Sequence, residues 1–107
     1  MVANRGEIAC RILRACREAG HPTVGICASN DAGSLFTEMA DEVVVLNGET
    51  IAETYLDQQQ IIQAAKTMGA TAIHPGFGFL SERADFATAV EAAGLIWIGP
   101  SALAITK

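Results

Sequence analysis

Three segments of the chain share one order: an amphipathic helix pattern, then a glycine, then an apolar strand pattern within three residues. The glycines are Gly20, Gly69 and Gly94. Helices and strands that alternate in this way are typical of βαβ units, in which parallel strands are joined by right-handed helical crossovers. The order therefore predicts a single α/β domain, with a three-layer, Rossmann-like parallel sheet covered by helices on both faces.

Hydrophobic periodicity places the individual elements along the chain. The predicted helices are residues 7–19, a short helix at 34–39, a helix capped by Asp57 that ends at Gly69, and a helix at 85–93. The predicted strands are residues 23–28, 42–46, 72–73 and 95–98, and a last turn capped by Ser101 reaches Lys107. Met1–Ala3 begins a first strand, which a Rossmann-like order places at the centre of the sheet.

Several of these elements carry predictions about burial and stability. The predicted apolar stripe of the first helix is Ile8, Ile12, Ala15, Cys16 and Ala19. The continuous apolar run at 42–46 is typical of a parallel strand covered on both faces. The Asn47-Gly48 pair after it does not indicate a hairpin, because no alternating strand follows. Since the first strand has only three residues before Asn4, we expect the isolated chain to be marginally stable or to self-associate.

Composition excludes several classes of function. The net charge of the 107-residue chain is −5, which argues against a nucleic-acid partner. Its three cysteines do not suit a disulfide framework, and no Cys–His cluster has zinc-ligand spacing. The chain has no apolar run long enough for a membrane and no signal-peptide layout at its start. We therefore expect a soluble protein of a reducing compartment.

The segment from His74 to Glu82 is the candidate site. It contains two glycines that permit positive φ and a proline that ends the preceding strand, so it cannot form a regular element. At least one of its two phenylalanine rings is expected to point away from the core. Ligands of open α/β sheets bind outside the carboxyl ends of the strands. The alternative is a tight connection without a ligand. The candidate residues are His74, Gly76, Phe77, Gly78, Ser81 and Glu82.

Other polar groups have less specific interpretations. The first turn, residues 4–7, has one glycine where a dinucleotide fingerprint needs three, so NAD binding is not expected. Packing does not explain Arg5 in this turn. Arg14 and Glu18 belong to a charged helix face that is either solvated or a subunit contact. The Asp41-Glu42 pair is expected to be solvated.

The order of several motifs resembles a known family over essentially the whole chain. The motifs are Ala3-Asn4-Arg5-Gly6-Glu7-Ile8-Ala9, Ala40-Asp41-Glu42, Tyr55-Leu56, the string from Ala72 to Glu82, and Ile98-Gly99-Pro100-Ser101. Together they are similar to the N-terminal domain of biotin carboxylase, the component found in acetyl-, propionyl- and methylcrotonyl-CoA, pyruvate and urea carboxylases. The resemblance implies a pre-ATP-grasp domain of Rossmann-like fold over residues 1–107.

The resemblance also implies an activity. Enzymes of this family are ligases that use ATP and Mg²⁺ to activate bicarbonate and then carboxylate biotin on a carrier domain. Phe77 and Gly78 match positions that lie beside biotin, and Arg14 and Glu18 match a subunit contact. Two positions depart from the family pattern, since Phe77 replaces the usual tyrosine and Arg83 the usual asparagine. None of the family's catalytic or metal-binding residues falls within this chain.

The implied partners are the rest of the ATP-grasp enzyme, the biotin carrier domain, a carboxyltransferase component and a second copy of the chain. No nucleic-acid or membrane partner is expected. The fragment alone is expected to be inactive and to bind none of these cofactors. We expect it in the cytoplasm, or in the mitochondrial matrix of a eukaryote. The alternative is a stand-alone module of the same fold that binds a small ligand or supports assembly.

Overall fold

A computed structural model of the protein describes residues 1–99. Within that range the helices are α1 (Gly6–Glu18), α2 (Leu35–Met39), α3 (Gln58–Thr67) and α4 (Ala84–Ala92). The strands are β1 (Val24–Ala28), β2 (Glu42–Leu46), β3 (Ala72–Ile73) and β4 (Ile96–Trp97). Short 3-10 turns cover Ser29–Asp31 and Phe79–Glu82. The predicted last turn after Ser101 lies outside the described residues.

The short segment Met1–Ala3 joins two pairs of parallel strands. β1 pairs with β2, β3 pairs with β4, and Val2 forms parallel bridges to both Gly25 and His74. The Val2 amide donates to the Val24 carbonyl at 2.9 Å, and the His74 amide donates to the Met1 carbonyl at 2.8 Å. The order across the sheet is therefore β2, β1, Met1–Ala3, β3, β4. The prediction of a central first strand is confirmed.

Two apolar clusters lie on opposite faces of this sheet. Alternate residues of the strands point to alternate faces, so Val2 and Cys27 belong to one cluster while Ala3 and Ile26 belong to the other. The α1–α2 cluster consists of Val2, Ala9, Cys10, Leu13, Cys27 and Phe36. The larger cluster, with α3 and α4, includes Ala3, Ile26, Leu46, Tyr55, Ile61, Ala65, Ile73, Leu80, Phe86 and Val90. The three-layer architecture is thus confirmed.

The outer strands are less covered than their sequences predict. Val45 in β2 is 52% exposed and Ile96 in β4 is 63% exposed, although both lie in continuous apolar runs. Among the described residues β2 and β4 each have one neighbouring strand, so helices cover them only in part. The prediction that β2 is covered on both faces was wrong for this reason.

The buried face of α1 also differs from the predicted stripe. The residues that enter the core are Ala9, Cys10 and Leu13. Ile8, Ile12 and Cys16 are only half-buried, and Ala15 and Ala19 are exposed. Both faces carry enough apolar residues for a helical period, so spacing alone does not distinguish them. The half-buried stripe instead lines a groove on the protein surface.

Two predictions about the ends of elements are confirmed. The side chain of Asp57 caps α3 by accepting from the Gln60 amide at 3.1 Å. Asp41 and Glu42 are exposed, as expected, and Asp41 also accepts from the amide of Thr23 at 2.7 Å and from its hydroxyl at 3.1 Å. It thereby connects the approach to β2 with the start of β1. Within residues 1–99, no helix has the length and apolarity that a membrane crossing requires.

A polar network at the carboxyl edge of the sheet contains Arg5, Asp31 and Tyr55. The Arg5 guanidinium pairs with the Asp31 carboxylate through contacts of 2.8 Å from Nε and 2.5 Å from Nη2. The Tyr55 hydroxyl donates to the same carboxylate at 2.5 Å and accepts from the buried Ala28 amide at 3.0 Å. The Arg5 guanidinium also lies over the Tyr55 ring, 5.5 Å from its centroid. This network explains why arginine occupies position 5 of the first turn, which packing considerations did not explain.

The network also determines how its groups ionise. Burial alone would raise the pKa of the Asp31 carboxyl, but hydrogen bonds from Arg5 and Tyr55 outweigh it, so that pKa lies below its ordinary value. Burial, together with the neighbouring Asp31 carboxylate, raises the pKa of the Tyr55 hydroxyl. At neutral pH the network therefore consists of a carboxylate, a guanidinium and a neutral phenol.

The central position of Val2 predicts a clear effect of its truncation. Val2→Ala removes two buried methyl groups from the α1–α2 cluster beside the central strand, and we expect it to lower the free energy of unfolding by roughly 1–3 kcal/mol. The matched control is Val45→Ala on the exposed edge of β2, where a change within about 0.5 kcal/mol is expected. Urea unfolding measures both. Equal losses for the two variants would contradict a central role for Val2.

The lowered pKa of Asp31 predicts how its contribution depends on pH. A depressed folded-state pKa stabilises the protein above the ordinary aspartate pKa of about 3.9, and this stability is lost as the pH falls through the folded-state pKa. Asp31→Asn should therefore cost roughly 1–2 kcal/mol at pH 7 and progressively less below pH 4. Urea unfolding across pH tests this.

Asp85→Asn serves as the control, because the Arg83–Asp85 pair is exposed on both sides and such pairs contribute little. A deficit of Asp31→Asn that stays constant down to pH 2 would contradict the assigned role of the carboxylate.

Candidate functional site

The segment from His74 to Glu82 leaves the carboxyl end of β3 with an irregular backbone. Gly76 has φ +68° and Gly78 has φ +70°, values in the left-handed region that favours glycine. Phe79 has φ +49° and is the one non-glycine residue of the described chain with positive φ. A 3-10 turn over Phe79–Glu82 then leads into α4. The predicted departure from regular structure is confirmed.

The two phenylalanine rings of the segment point in different directions. Phe77 is 73% exposed. Phe79 is half-buried against the larger apolar cluster, and its ring lies 5.5 Å from the Tyr55 ring, centroid to centroid. The expectation that at least one ring leaves the core is confirmed, and that ring is Phe77.

Asn4, in the first turn of the chain, holds the segment by its backbone. The Asn4 Nδ2 donates to the carbonyls of both Pro75 and Phe77, each at 2.8 Å. Its Oδ1 accepts from the Arg5 amide at 2.8 Å. Gly76 passes so close that an added Cβ would lie 2.7 Å from Asn4 Nδ2 and 3.0 Å from Ile8 Cγ2. This close approach explains why glycine occupies position 76.

His74 has a local structural role. Its Nδ1 accepts from the Gly76 amide at 3.1 Å, which requires that nitrogen to be unprotonated. Burial lowers the pKa of the imidazole below its ordinary value, and the neighbouring Met1 ammonium adds to the effect. His74 is thus neutral at physiological pH and supports the turn.

Ser81 and Glu82 do not cap the helix that follows the segment. Arg83 occupies the cap position of α4 and makes no side-chain cap bond. Ser81 is buried, and its hydroxyl has no hydrogen-bond partner among the described residues. Glu82 is exposed. These two residues do not form an acid–base or nucleophile pair.

A groove of about 600 Å³ lies between α1 and the candidate segment. It is lined by Ile8, Arg11, Ile12, Ala15, Cys16, His74, Gly76 and Phe77. The half-buried stripe of α1 therefore faces Phe77 across open space. Arg14 lines a separate cavity of about 410 Å³ beside α2, together with Arg5, Arg11 and Leu35. Neither Arg14 nor Glu18 lines the groove.

The segment and the facing side of α1 form a surface with apolar and aromatic groups. Within residues 1–99, no cluster of three His, Cys, Asp or Glu could hold a metal ion. The segment presents one exposed aromatic ring, two glycines that permit close approach, and the apolar wall of α1. Such a surface can receive a flat, partly apolar group.

Sequence reasoning did not find Asn4, or the connection of Arg5 with Asp31 and Tyr55. The first turn and the candidate segment follow adjacent parallel strands, and carboxyl ends of parallel strands meet at one edge. That rule would have placed Asn4 beside the segment once the central first strand was assumed.

Comparison with known proteins agrees with this geometry. A family model described as the biotin carboxylase N-terminal domain matches residues 1–105. The biotin-dependent acyl-coenzyme A carboxylase alpha3 subunit of Mycobacterium leprae is 57% identical over 101 residues, covering 94% of this chain and 17% of that protein. Biotin carboxylase 1 of Bacillus subtilis is 47% identical over 107 residues, covering all of this chain and 24% of that protein.

A solved structure has the same fold. The biotin carboxylase domain of the Hydrogenobacter thermophilus 2-oxoglutarate carboxylase, in complex with MgADP, ADP and bicarbonate, superposes with a TM-score of 0.94 at 44% identity. The match covers 98% of this chain and 23% of that one. This chain thus spans no more than about a quarter of these relatives. The chain belongs to the family of biotin carboxylase N-terminal domains.

Proposed function

We propose that this domain is part of the biotin carboxylase component of a biotin-dependent carboxylase, an ATP-dependent ligase that carboxylates carrier-bound biotin with bicarbonate. The observation that carries the proposal is the exposed Phe77 on a glycine-rich segment, within a chain matched by the family model over residues 1–105. The related Hydrogenobacter domain holds MgADP and bicarbonate. ATP, Mg²⁺, bicarbonate and biotin are accordingly the proposed ligands of the whole enzyme.

Within that enzyme, the candidate segment forms one wall of the biotin site. The wall comprises His74, Gly76, Phe77, Gly78, Ser81 and Glu82. Phe77 supplies a ring face, while the glycines let the ligand approach the backbone. His74 keeps the turn in shape through its bond to the Gly76 amide. The chemistry of bicarbonate activation is assigned to other parts of the enzyme.

The remaining assignments concern assembly. Residues 1–107 form the front domain, and the proposed partners are the ATP-grasp region, the biotin carrier domain and the carboxyltransferase component. Arg14 and Glu18, both exposed on α1, are the proposed contact with a second copy. The enzyme is placed in the cytoplasm or the mitochondrial matrix. The competing function is a stand-alone ligand-binding or assembly module, and the source reading frame beyond Lys107 distinguishes the two.

The isolated 107-residue chain is expected to show no bicarbonate-stimulated ATP hydrolysis and no carboxylation of free biotin. Phosphoryl transfer needs metal ions and positioned cations, and the chain's lysines are Lys66 and Lys107 only. Lys66 is exposed on α3. A phosphate-release assay with and without bicarbonate measures this, with a full-length biotin carboxylase as the positive control. Turnover by the isolated chain would refute the proposal that it supplies only one wall of the site.

The exposed ring of Phe77 predicts how substitutions affect the use of biotin. In the full-length enzyme, Phe77→Ala should raise the KM for biotin about fivefold, because a lost aromatic contact costs on the order of 1 kcal/mol. Phe77→Tyr keeps the ring and should stay within about twofold, since the added hydroxyl reaches water. The measurement is steady-state carboxylation of free biotin.

Ile51→Ala is the control for this series, because Ile51 is an exposed apolar residue outside the segment. Its KM for biotin should equal that of the parent enzyme. An alanine variant of Phe77 with the parent's KM would mean that the ring is not part of the biotin site.

A further inference from the structure

We propose that Asn4 is a positioning residue for the biotin-side segment, and that it determines where the Phe77 ring and the Gly78 amide point. This inference rests on the proposed function of the segment. Asn4 lies 71 to 73 residues away in sequence from the two carbonyls that it binds. It is 1% exposed, so water does not compete for its side chain.

The hydrogen bonds of Asn4 leave little freedom to the segment. One amide nitrogen donates to the carbonyls of Pro75 and Phe77 at 2.8 Å each, so both hydrogens of the amide are used. The oxygen accepts from the Arg5 amide, which fixes the orientation of the side chain. The carbonyl of residue 77 and the amide of residue 78 belong to one planar peptide unit. Fixing the orientation of the carbonyl therefore also fixes the orientation of the amide.

Phe77 depends on this backbone restraint more than a buried residue would. Its side chain is 73% exposed, so packing does little to orient it. The residues on either side are glycines with positive φ, which have wide conformational freedom of their own. Without Asn4, the 77–78 peptide unit would lose this restraint, and the 75–76 unit would be held only by the bond from the Gly76 amide to His74 Nδ1. The ring would then sample many directions and bind its ligand less well.

The contact between Asn4 and the candidate segment also depends on Gly76. Gly76 packs directly on the Asn4 side chain, and an added Cβ would lie 2.7 Å from Nδ2 and 3.1 Å from the Asn4 Cβ. Gly76→Ala would therefore push Asn4 away from the two carbonyls, and φ +68° would be strained as well. The two substitutions disturb the same contact through different residues.

The test uses a full-length biotin carboxylase that carries this domain. Asn4→Asp has nearly the same shape but replaces the donor by a group that repels both carbonyls when ionised. We expect the KM for free biotin to rise about tenfold at pH 8, as for the loss of one or two buried hydrogen bonds. The KM for ATP should stay within about twofold, because the hydrogen bonds of the Asn4 side chain go to the candidate segment and to the Arg5 amide.

The aspartate variant adds a second readout. Burial raises the pKa of a carboxyl, and the protonated form can again donate to one carbonyl. The defect in the KM for biotin should therefore shrink as the pH is lowered from 8 to 6, relative to the parent enzyme at each pH. The free energy of unfolding of this variant should recover in the same direction, because protonation removes the buried charge, so the pH profile supports positioning only together with an unchanged KM for ATP.

Thr54→Val is the matched control. Thr54 is fully buried, and its hydroxyl donates to the Thr50 carbonyl at 2.8 Å, remote in sequence from the segment. This variant should lose stability while keeping the KM for biotin. Gly76→Ala should reproduce the rise in KM seen for Asn4→Asp, and it decides the test if the aspartate variant does not fold.

The outcomes separate this inference from the function on which it rests. If Phe77→Ala raises the KM for biotin and neither Asn4→Asp nor Gly76→Ala does, the positioning role is overturned and the proposed function stands. If Phe77→Ala itself has no effect, the biotin-side assignment fails, and the positioning role fails with it. A rise of the KM for biotin and for ATP by the same factor in Asn4→Asp also overturns the inference, because it indicates general damage.

Discussion

The structure depends on backbone hydrogen bonds made by three residues at its centre. Met1–Ala3 pairs with β1 through the Val24 carbonyl and with β3 through the backbone of His74. The side chains of Val2 and Ala3 enter opposite apolar clusters, so this segment also joins the two cores. Within the sheet, the β1–β2 pair and the β3–β4 pair are joined through it. A short strand can fulfil this role because both its neighbours are themselves ordered by helices that pack on them.

Asn4 and Arg5, which follow Met1–Ala3, connect this central strand to the candidate segment. Asn4 binds the carbonyls of Pro75 and Phe77, and Arg5 binds Asp31, which in turn accepts from Tyr55. Tyr55 contacts the ring of Phe79, which belongs to the candidate segment. Asn4 therefore holds the backbone of the candidate segment, and the network of Arg5, Asp31 and Tyr55 holds its Phe79 side chain. Few apolar contacts are needed around Phe77, which is free to meet a ligand.

The fold could be predicted from sequence because it depends on local patterns. Helices that end at Gly20, Gly69 and Gly94 and lead into apolar strands specify parallel βαβ units wherever they occur. The site loop was also predictable, since glycines and aromatics cannot form a regular element there. Asn4 was not identified, because its partners lie more than 70 residues away, and only the adjacency of the first strand and β3 in the sheet brings them together. The buried face of α1 was misread because Ile8 and Ile12 are as apolar as Ala9 and Leu13, and only the position of the sheet decides which side is covered.

The exposed position of Phe77 bears on the departure from the family pattern at that residue. The resemblance described above implies tyrosine there, and a buried tyrosine needs a partner for its hydroxyl. Here the ring is 73% exposed, so a hydroxyl on it would reach water and would leave no polar group unpaired. Phenylalanine and tyrosine thus present the same ring from the same backbone, which Asn4 restrains in either case. Under the proposed function, the position requires a flat apolar surface held at a defined angle, and both side chains provide it.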